Sequence, residues 1–345
     1  MLLTLETFLV AVYTYVDDLY IEHFAPDNPL LGRPPAFANS EVLTLTILAD
    51  WSFNGRYAPM LRYVRAHWLD FFPDVVTPSA FNKRVAYLHE LLPQVASRLA
   101  AIFHPQGVAL QIIDGVGVAE RSISRAKHRC ATDADMGYCG TPKRAFFGFK
   151  VAVCVSPDAM IMSWTSGPAS TEERYLLSAT LRLRCDAQAP DPTGHDHDLI
   201  CGLRHRPAGE RNRVGPRGPL ERGGREVKQV QGLLMLADSG YVSAPLQEHW
   251  KQVWGVDVVT PADWCKGSQL EGWRCTLRRI RQRAEQVIGA LGHGRKVPTL
   301  SARRTWSVRA RIGAMMARHN LNVLLNRLFG LAPLHRIEPL SLPRA

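Results

Sequence analysis

Three carboxylates, each at the end or on the face of a regular element, carry the chemistry legible in this chain. Asp114 closes an apolar run, Ala109-Leu110-Gln111-Ile112-Ile113, that reads as a buried central strand with the acid at its mouth. A buried carboxylate without a partner is costly, so an acid in that place calls for a metal, a cation or water. Asp238 closes a second run, Leu233-Leu234-Met235-Leu236-Ala237, expected beside the first, and Glu285 falls in a helical stretch from about Thr276 to Leu291. Three carboxylates with no obligatory Cys or His form a hard-oxygen set, suited to Mg²⁺ or Mn²⁺ and poor for zinc. Two such ions about 3.5–4 Å apart would activate water or a 3′-hydroxyl and stabilise the leaving oxygen of a phosphodiester.

The charge balance points the same way. Across 345 residues, 42 Lys and Arg stand against 31 Asp and Glu, a net +11 with His neutral, and the pI is near 9.5. A basic surface favours polyanions, nucleic acid ahead of acidic membranes. Lys83 and Arg84 are expected to face outward from a helix, and Arg121, Arg125, Lys127, His128 and Arg129 follow the first strand, near the acids. Arg278, Arg279, Arg281 and Arg283 precede Glu285 on its own helix, where guanidinium groups suit a phosphate backbone. Trp264 and Trp273 are candidates for stacking a frayed base, although packing is the simpler role.

Around these residues the pattern splits into a helical part, 1–104, and an α/β part, 105–330, followed by a tail, 331–345. Leu2, Leu5, Leu9, Val12, Val16 and Leu19 lie on one helical face. Asn39 and Ser40 read as caps of a second helix, a third spans Tyr57 to Trp68, and Thr77-Pro78 opens a fourth that continues through Leu92. Several short helices with a basic one near the end resemble a helix-turn-helix, though a plain bundle fits equally. From Val108 the order is three strands (Val108–Asp114, Phe146–Val155, Met160–Thr165), helix, strand, helix, strand (Val256–Thr260), helix. The last long helical stretch, Arg303 to Phe329, is expected to pack back on the domain. Residues 187–231 are rich in Arg, Gly and Pro and read as an insertion that buries little apolar surface. His195-Asp196-His197 with Cys201 has no second spaced pair to complete a zinc site, and a polar loop is the simpler reading. Seven cysteines without a Cys-x-x-Cys pair suggest reduced thiols, and acids at 6, 17 and 18 break the apolar start, so neither a signal peptide nor a membrane span is expected.

Taken in order, Ile112-Ile113-Asp114, Gly137-Tyr138-Cys139, Phe147-Gly148-Phe149-Lys150, Pro168-Ala169-Ser170, Ala237-Asp238-Ser239-Gly240-Tyr241 and Arg281-Gln282-Arg283-Ala284-Glu285 resemble the DDE transposases of bacterial insertion sequences. Asn39-Ser40-Glu41-Val42-Leu43-Thr44 and Phe72-Pro73 are similar to the amino-terminal region of one branch of that group. The resemblance implies an α/β, ribonuclease-H-like mixed sheet with flanking helices, preceded by an all-α, helix-turn-helix-like DNA-binding domain. It further implies metal-dependent strand cleavage and transfer, with Asp114, Asp238 and Glu285 holding Mg²⁺ or Mn²⁺, as two ions. Double-stranded DNA, as element ends and target, is the implied partner, with Lys150 among the candidate contacts. A homodimer or larger assembly would synapse two ends, in a bacterial cytoplasm close to the nucleoid. Around the glutamate the family often has Tyr, Arg and Lys; here Arg281 fits, while Arg278 and Gly292 replace the other two, with Arg295 or Lys296 close by. Ser239 stands where a lysine is common, and Glu173 where an aspartate is. A ribonuclease-H-like nuclease without strand transfer and a catalytically decayed DNA-binding protein are the alternatives.

Overall fold

The computed structural model describes residues 3–25, 35–123, 133–139, 144–183, 221–223, 232–260, 271–292, 299–300, 302 and 304–343. The chain is mixed α/β. Helices α1 (Leu5–His23), α2 (Asn39–Phe53), α3 (Tyr57–His67), α4 (Pro78–Leu88) and α5 (Leu91–Phe103) come first. Thr4 caps α1 by accepting from the Thr7 N–H, and the face of α1 read from the sequence is the one that is buried. Thr77 caps α4 in the same way, with Pro78 in the first turn, where no N–H is needed. Helix α4 stops at Leu88, so the single helix expected through Leu92 is two helices. Asn39 and Ser40 do not cap α2: Ala38 holds that position, and the Glu41 carboxylate accepts its N–H. Asn39 turns its amide to the Tyr20 hydroxyl instead.

Among the described residues one sheet follows, with strands β1 (Leu110–Arg121), β2 (Asp135–Cys139), β3 (Arg144–Val155), β4 (Ile161–Pro168), β5 (Glu221–Gly223), β6 (Leu233–Leu236) and β7 (Val256–Val259). The order across it is β5-β4-β3-β1-β6-β7, with β2 also paired to β3. β1, β3, β4 and β5 are antiparallel neighbours, whereas β6 runs parallel to β1 and β7 parallel to β6. Helix α6 (Glu173–Leu183) follows β4, α7 (Ala244–Trp254) joins β6 to β7, and α8 (Glu271–Leu291) and α9 (Thr305–Leu328) complete the chain.

Three differences from the sequence reading matter. Asp114 does not end its strand, because β1 runs on through Gly115-Val116-Gly117-Val118, held by β3, with Asp114 opposite Val153. Asp135–Cys139 is a strand of its own on β3. The stretch at 187–231 also contributes β5, which pairs with Trp164, Thr165 and Ser166; the rest of it lies outside the described residues.

Alternation along β1 sorts its side chains to two faces. Ile112, Val116 and Val118 share one continuous core with α1–α5, the inner side of α8 and nearly all of α9. The division expected at 104/105 therefore falls inside one core. Ile113, Ala152 and Cys154 face the other way, toward Leu176, Leu177, Leu246 and Trp250 of α6 and α7. Helix α9 is the centre of the larger core, and its polar side chains act as ties. The Asn320 amide donates to the carbonyls of Ala96 and Ile161 and accepts the Ile161 N–H, each at 2.9 Å, joining α5 to β4. The tail folds back: the Trp51 indole donates to the Ile337 carbonyl at 2.8 Å, and the Leu5 N–H to Pro343 at 2.9 Å. No described helix is long and apolar enough to cross a membrane.

Candidate active site

Parallel pairing of β1 and β6 sets Ile112 opposite Leu236. Asp114 stands two residues further along β1, and Asp238 two residues beyond the end of β6, so both acids lie past the last β1–β6 pair at the same edge of the sheet, close enough for the charge of Asp238 to act on Asp114. Asp114 accepts the Gly115 N–H at 2.7 Å. Burial pushes its carboxyl up to about 6; the Gly115 N–H and Arg281 oppose that shift, while the negative charges of Asp238 and Glu173 reinforce it. Asp238 leaves β6 and caps a short 3₁₀ turn, Ser239–Tyr241, accepting the Ser239 N–H at 2.6 Å. Its side chain is 49% exposed. Asp114 is thus the enclosed acid of the pair and Asp238 the open one.

Helix α8 packs Ala284, Val287 and Leu291 into the core, which leaves Glu285 on the outer side with 51% exposure. Arg281, one turn earlier, donates to Glu285 at 2.9 Å and has its other terminal nitrogen 3.9 Å from Asp238. The guanidinium therefore stands between the second and third acids. Among the described residues no group of three His, Cys, Asp or Glu side chains converges tightly enough to hold a metal ion. Two carboxylates are nevertheless the kind and number of protein ligands that Mg²⁺ commonly takes while keeping several waters. An enclosed carboxyl with a raised pKa beside a second acid is also where a cation relieves the most repulsion.

A fourth acid adjoins the site. Glu173, in the first turn of α6, sits over two glycines: a Cβ on Gly240 would fall 2.8 Å from its Oε2, and one on Gly115 3.5 Å from its Oε1. Those glycines follow Asp238 by two positions and Asp114 by one. Lys150 on β3 pairs with Glu173 at 3.3 Å. Tyr241 lies fully buried close by, its hydroxyl without a hydrogen-bond partner among the described residues. Burial pushes that hydroxyl well above the usual tyrosine range, and Glu173 and Asp114 add to the effect. In the sequence, Glu173 stands out only as a glutamate where the resembled family has an aspartate. The available signal was an acid opening the first helix after the β3–β4 hairpin.

The basic candidates divide. Lys83 and Arg278 are exposed. Arg84 does not face outward as expected: it donates to the Phe37 carbonyl and to Asn39 Oδ1, and its guanidinium lies over the Phe37 ring. Burial lowers its pKa, against the pull of Glu41. Arg121 ends β1 and donates to Glu120 at 2.9 Å, and Lys150 is engaged by Glu173. Arg125, Lys127, Arg129 and Trp264, and the side chain of Trp273, lie outside the described residues.

In comparisons with known proteins, the chain matches no family model, no curated protein and no solved structure.

Proposed function

We propose that this chain is a DNA transposase of the DDE type, acting at the Asp114–Asp238 rim. The observation that carries the reading is a pair of acids at one sheet edge, Asp114 on β1 and enclosed, Asp238 just past the end of the adjacent parallel strand β6 and open, beside an arginine-bearing helix. An antiparallel run β1-β3-β4, to which β5 and β2 add at the side, followed by β6 and β7 parallel to β1, with the first acid on the inner strand β1, supports a ribonuclease-H-like reading of the sheet. The net charge of +11 supports a polyanionic substrate.

Bound Mg²⁺ or Mn²⁺ would supply Lewis-acid polarisation of the scissile phosphate and an activated water or 3′-hydroxyl. The protein's own groups do the rest. Asp114 and Asp238, both ionised, would hold the ion. Arg281, freed from Glu285, would take a phosphate oxygen of the DNA end, because its fork offers paired donors to an oxyanion. Glu285 would then turn toward the rim to complete the set. Arg278 and Lys83, exposed on α8 and α4, would take flanking phosphates and so position the duplex without reading its sequence.

The test is a strand-transfer assay with purified full-length protein, the DNA flanking its gene, and a supercoiled target. Covalent joining of flanking ends to the target in Mg²⁺, absent in EDTA, is the expected result. Cleavage without joining would favour the nuclease alternative, and salt-sensitive binding with neither reaction the decayed one.

A further inference from the structure

The helix that carries Glu285 ends against a buried cation. Arg318, on α9, donates from Nε to Asp50 on α2 at 2.8 Å and from Nη2 to the carbonyls of Ala290 and Leu291, each at 3.3 Å. Those carbonyls belong to the last turn of α8, where a helix has no amide donors of its own and carries the negative end of its dipole. The Arg318 side chain is only 6% exposed and that of Asp50 16%. One side chain therefore connects the amino-terminal helices, the central helix and the terminus of the helix bearing the third acid.

We propose that Arg318 is a positioning residue for Glu285: locked by Asp50, it fixes the axial and rotational setting of α8, and so where Glu285 arrives at the Asp114–Asp238 rim. Ala290 lies five residues past Glu285, about 8 Å along a helix at 1.5 Å per residue. Helices transmit such a displacement as rigid rods, and a misplacement near 1 Å far from the reacting atoms costs about a hundredfold in rate. The geometry favours this over a role in stability alone. A buried ion pair is weak evidence for stabilisation, and apolar residues of similar volume often replace one without loss. The guanidinium supplies a fork that reaches Asp50 and two carbonyls together, which a lysine lacks.

The inference rests on the function proposed above, and its test separates the two. Asp50→Leu with Arg318→Met removes both charges, so that neither is left buried alone; Arg318→Lys keeps the charge facing Asp50 and gives up the carbonyls. Three readouts are taken on the full chain: the unfolding midpoint, hydrogen exchange of amides 286–292, and the single-turnover rate of Mg²⁺-dependent DNA cleavage alongside DNA-end affinity. The expected result is a midpoint close to wild type in at least one variant, exchange at the end of α8 about tenfold faster, cleavage slowed about 10- to 100-fold, and affinity within about twofold. A folded variant with wild-type exchange in α8 and wild-type cleavage overturns the inference, as does a uniform rise in exchange across the core in both variants. If the wild-type protein cuts no DNA, the functional reading falls, and α8 exchange still decides whether Arg318 positions the helix.

Discussion

Replacing Asp114 by Asn should stabilise the metal-free protein at neutral pH, and the size of the effect follows from the site. Burial holds the Asp114 carboxyl at about 6, against roughly 3.9 in an unfolded chain. Between those values the native protein keeps a proton that the unfolded chain releases. The contribution is fully present below about pH 4 and is lost as pH rises through 6, at about 3 kcal/mol for a two-unit shift. His319 acts in the opposite sense. It is fully buried, donates to the Ala159 carbonyl at 2.8 Å, and burial holds it down to about 4. Its contribution is present above about 6.5 and is lost as pH falls toward 4, again by about 3 kcal/mol. The two slopes oppose each other across pH 4–6, so together they leave the wild type nearly flat there. Asp114→Asn removes one of them and should show stability rising steeply with pH; His319→Gln removes the other and should show it falling. With about 0.7 kcal/mol/K of unfolding entropy for a chain of this length, 3 kcal/mol corresponds to about 4 °C. Thermal melts in EDTA from pH 4 to 8 measure all three proteins. An Asn variant no more stable than wild type at pH 7.5, or one offset by the same amount at every pH, would refute the enclosed, charged Asp114.

Two further pairs of substitutions separate seat from scaffold. Gly148→Ala places a Cβ 2.1 Å from the Val118 carbonyl oxygen, a backbone atom in the β1–β3 ladder, and should cost about 3 kcal/mol or more; Gly240→Ala meets only the end of the Glu173 side chain and should cost under about 1 kcal/mol, both read from denaturant midpoints. Lys83→Ala should weaken DNA binding and flatten its salt dependence by about one counterion, whereas Arg84→Ala should lower the unfolding midpoint, since its guanidinium holds Phe37 and Asn39 at the start of α2; the reverse pattern would contradict these placements.

Local signals carried much of this architecture. Apolar runs bounded by turns mark β1, β3, β4, β6 and β7, and an acid at the end of such a run marks Asp114 and Asp238. Several features depend on partners remote in sequence and left no local trace. The apolar run stops at Asp114, yet pairing with β3 carries β1 on to Arg121. Glu221–Gly223 has the composition of a loop and becomes a strand because β4 offers it an edge. Arg84 and Arg318 have the residue type of surface cations, and only the fold supplies the carbonyls and the carboxylate that bury them. The pairing of Arg318 with Asp50, 268 positions apart, is invisible to periodicity. The same holds for Glu173, whose relation to the acids is set by two glycines on separate elements.

The central claim is that Asp114 and Asp238 together hold the cation that cuts DNA. Cleavage of the flanking DNA by wild type and by Asp238→Asn, titrated with Mg²⁺ beside a binding curve at fixed salt, addresses it directly. Asp238 is half exposed, and among the described residues its side chain meets the adjacent Ser239 and, in a long pairing, Arg281, so Asn should leave the fold and DNA affinity within about twofold while removing Mg²⁺-dependent cleavage. Undiminished cleavage by Asp238→Asn at the same Mg²⁺ concentration would contradict the account.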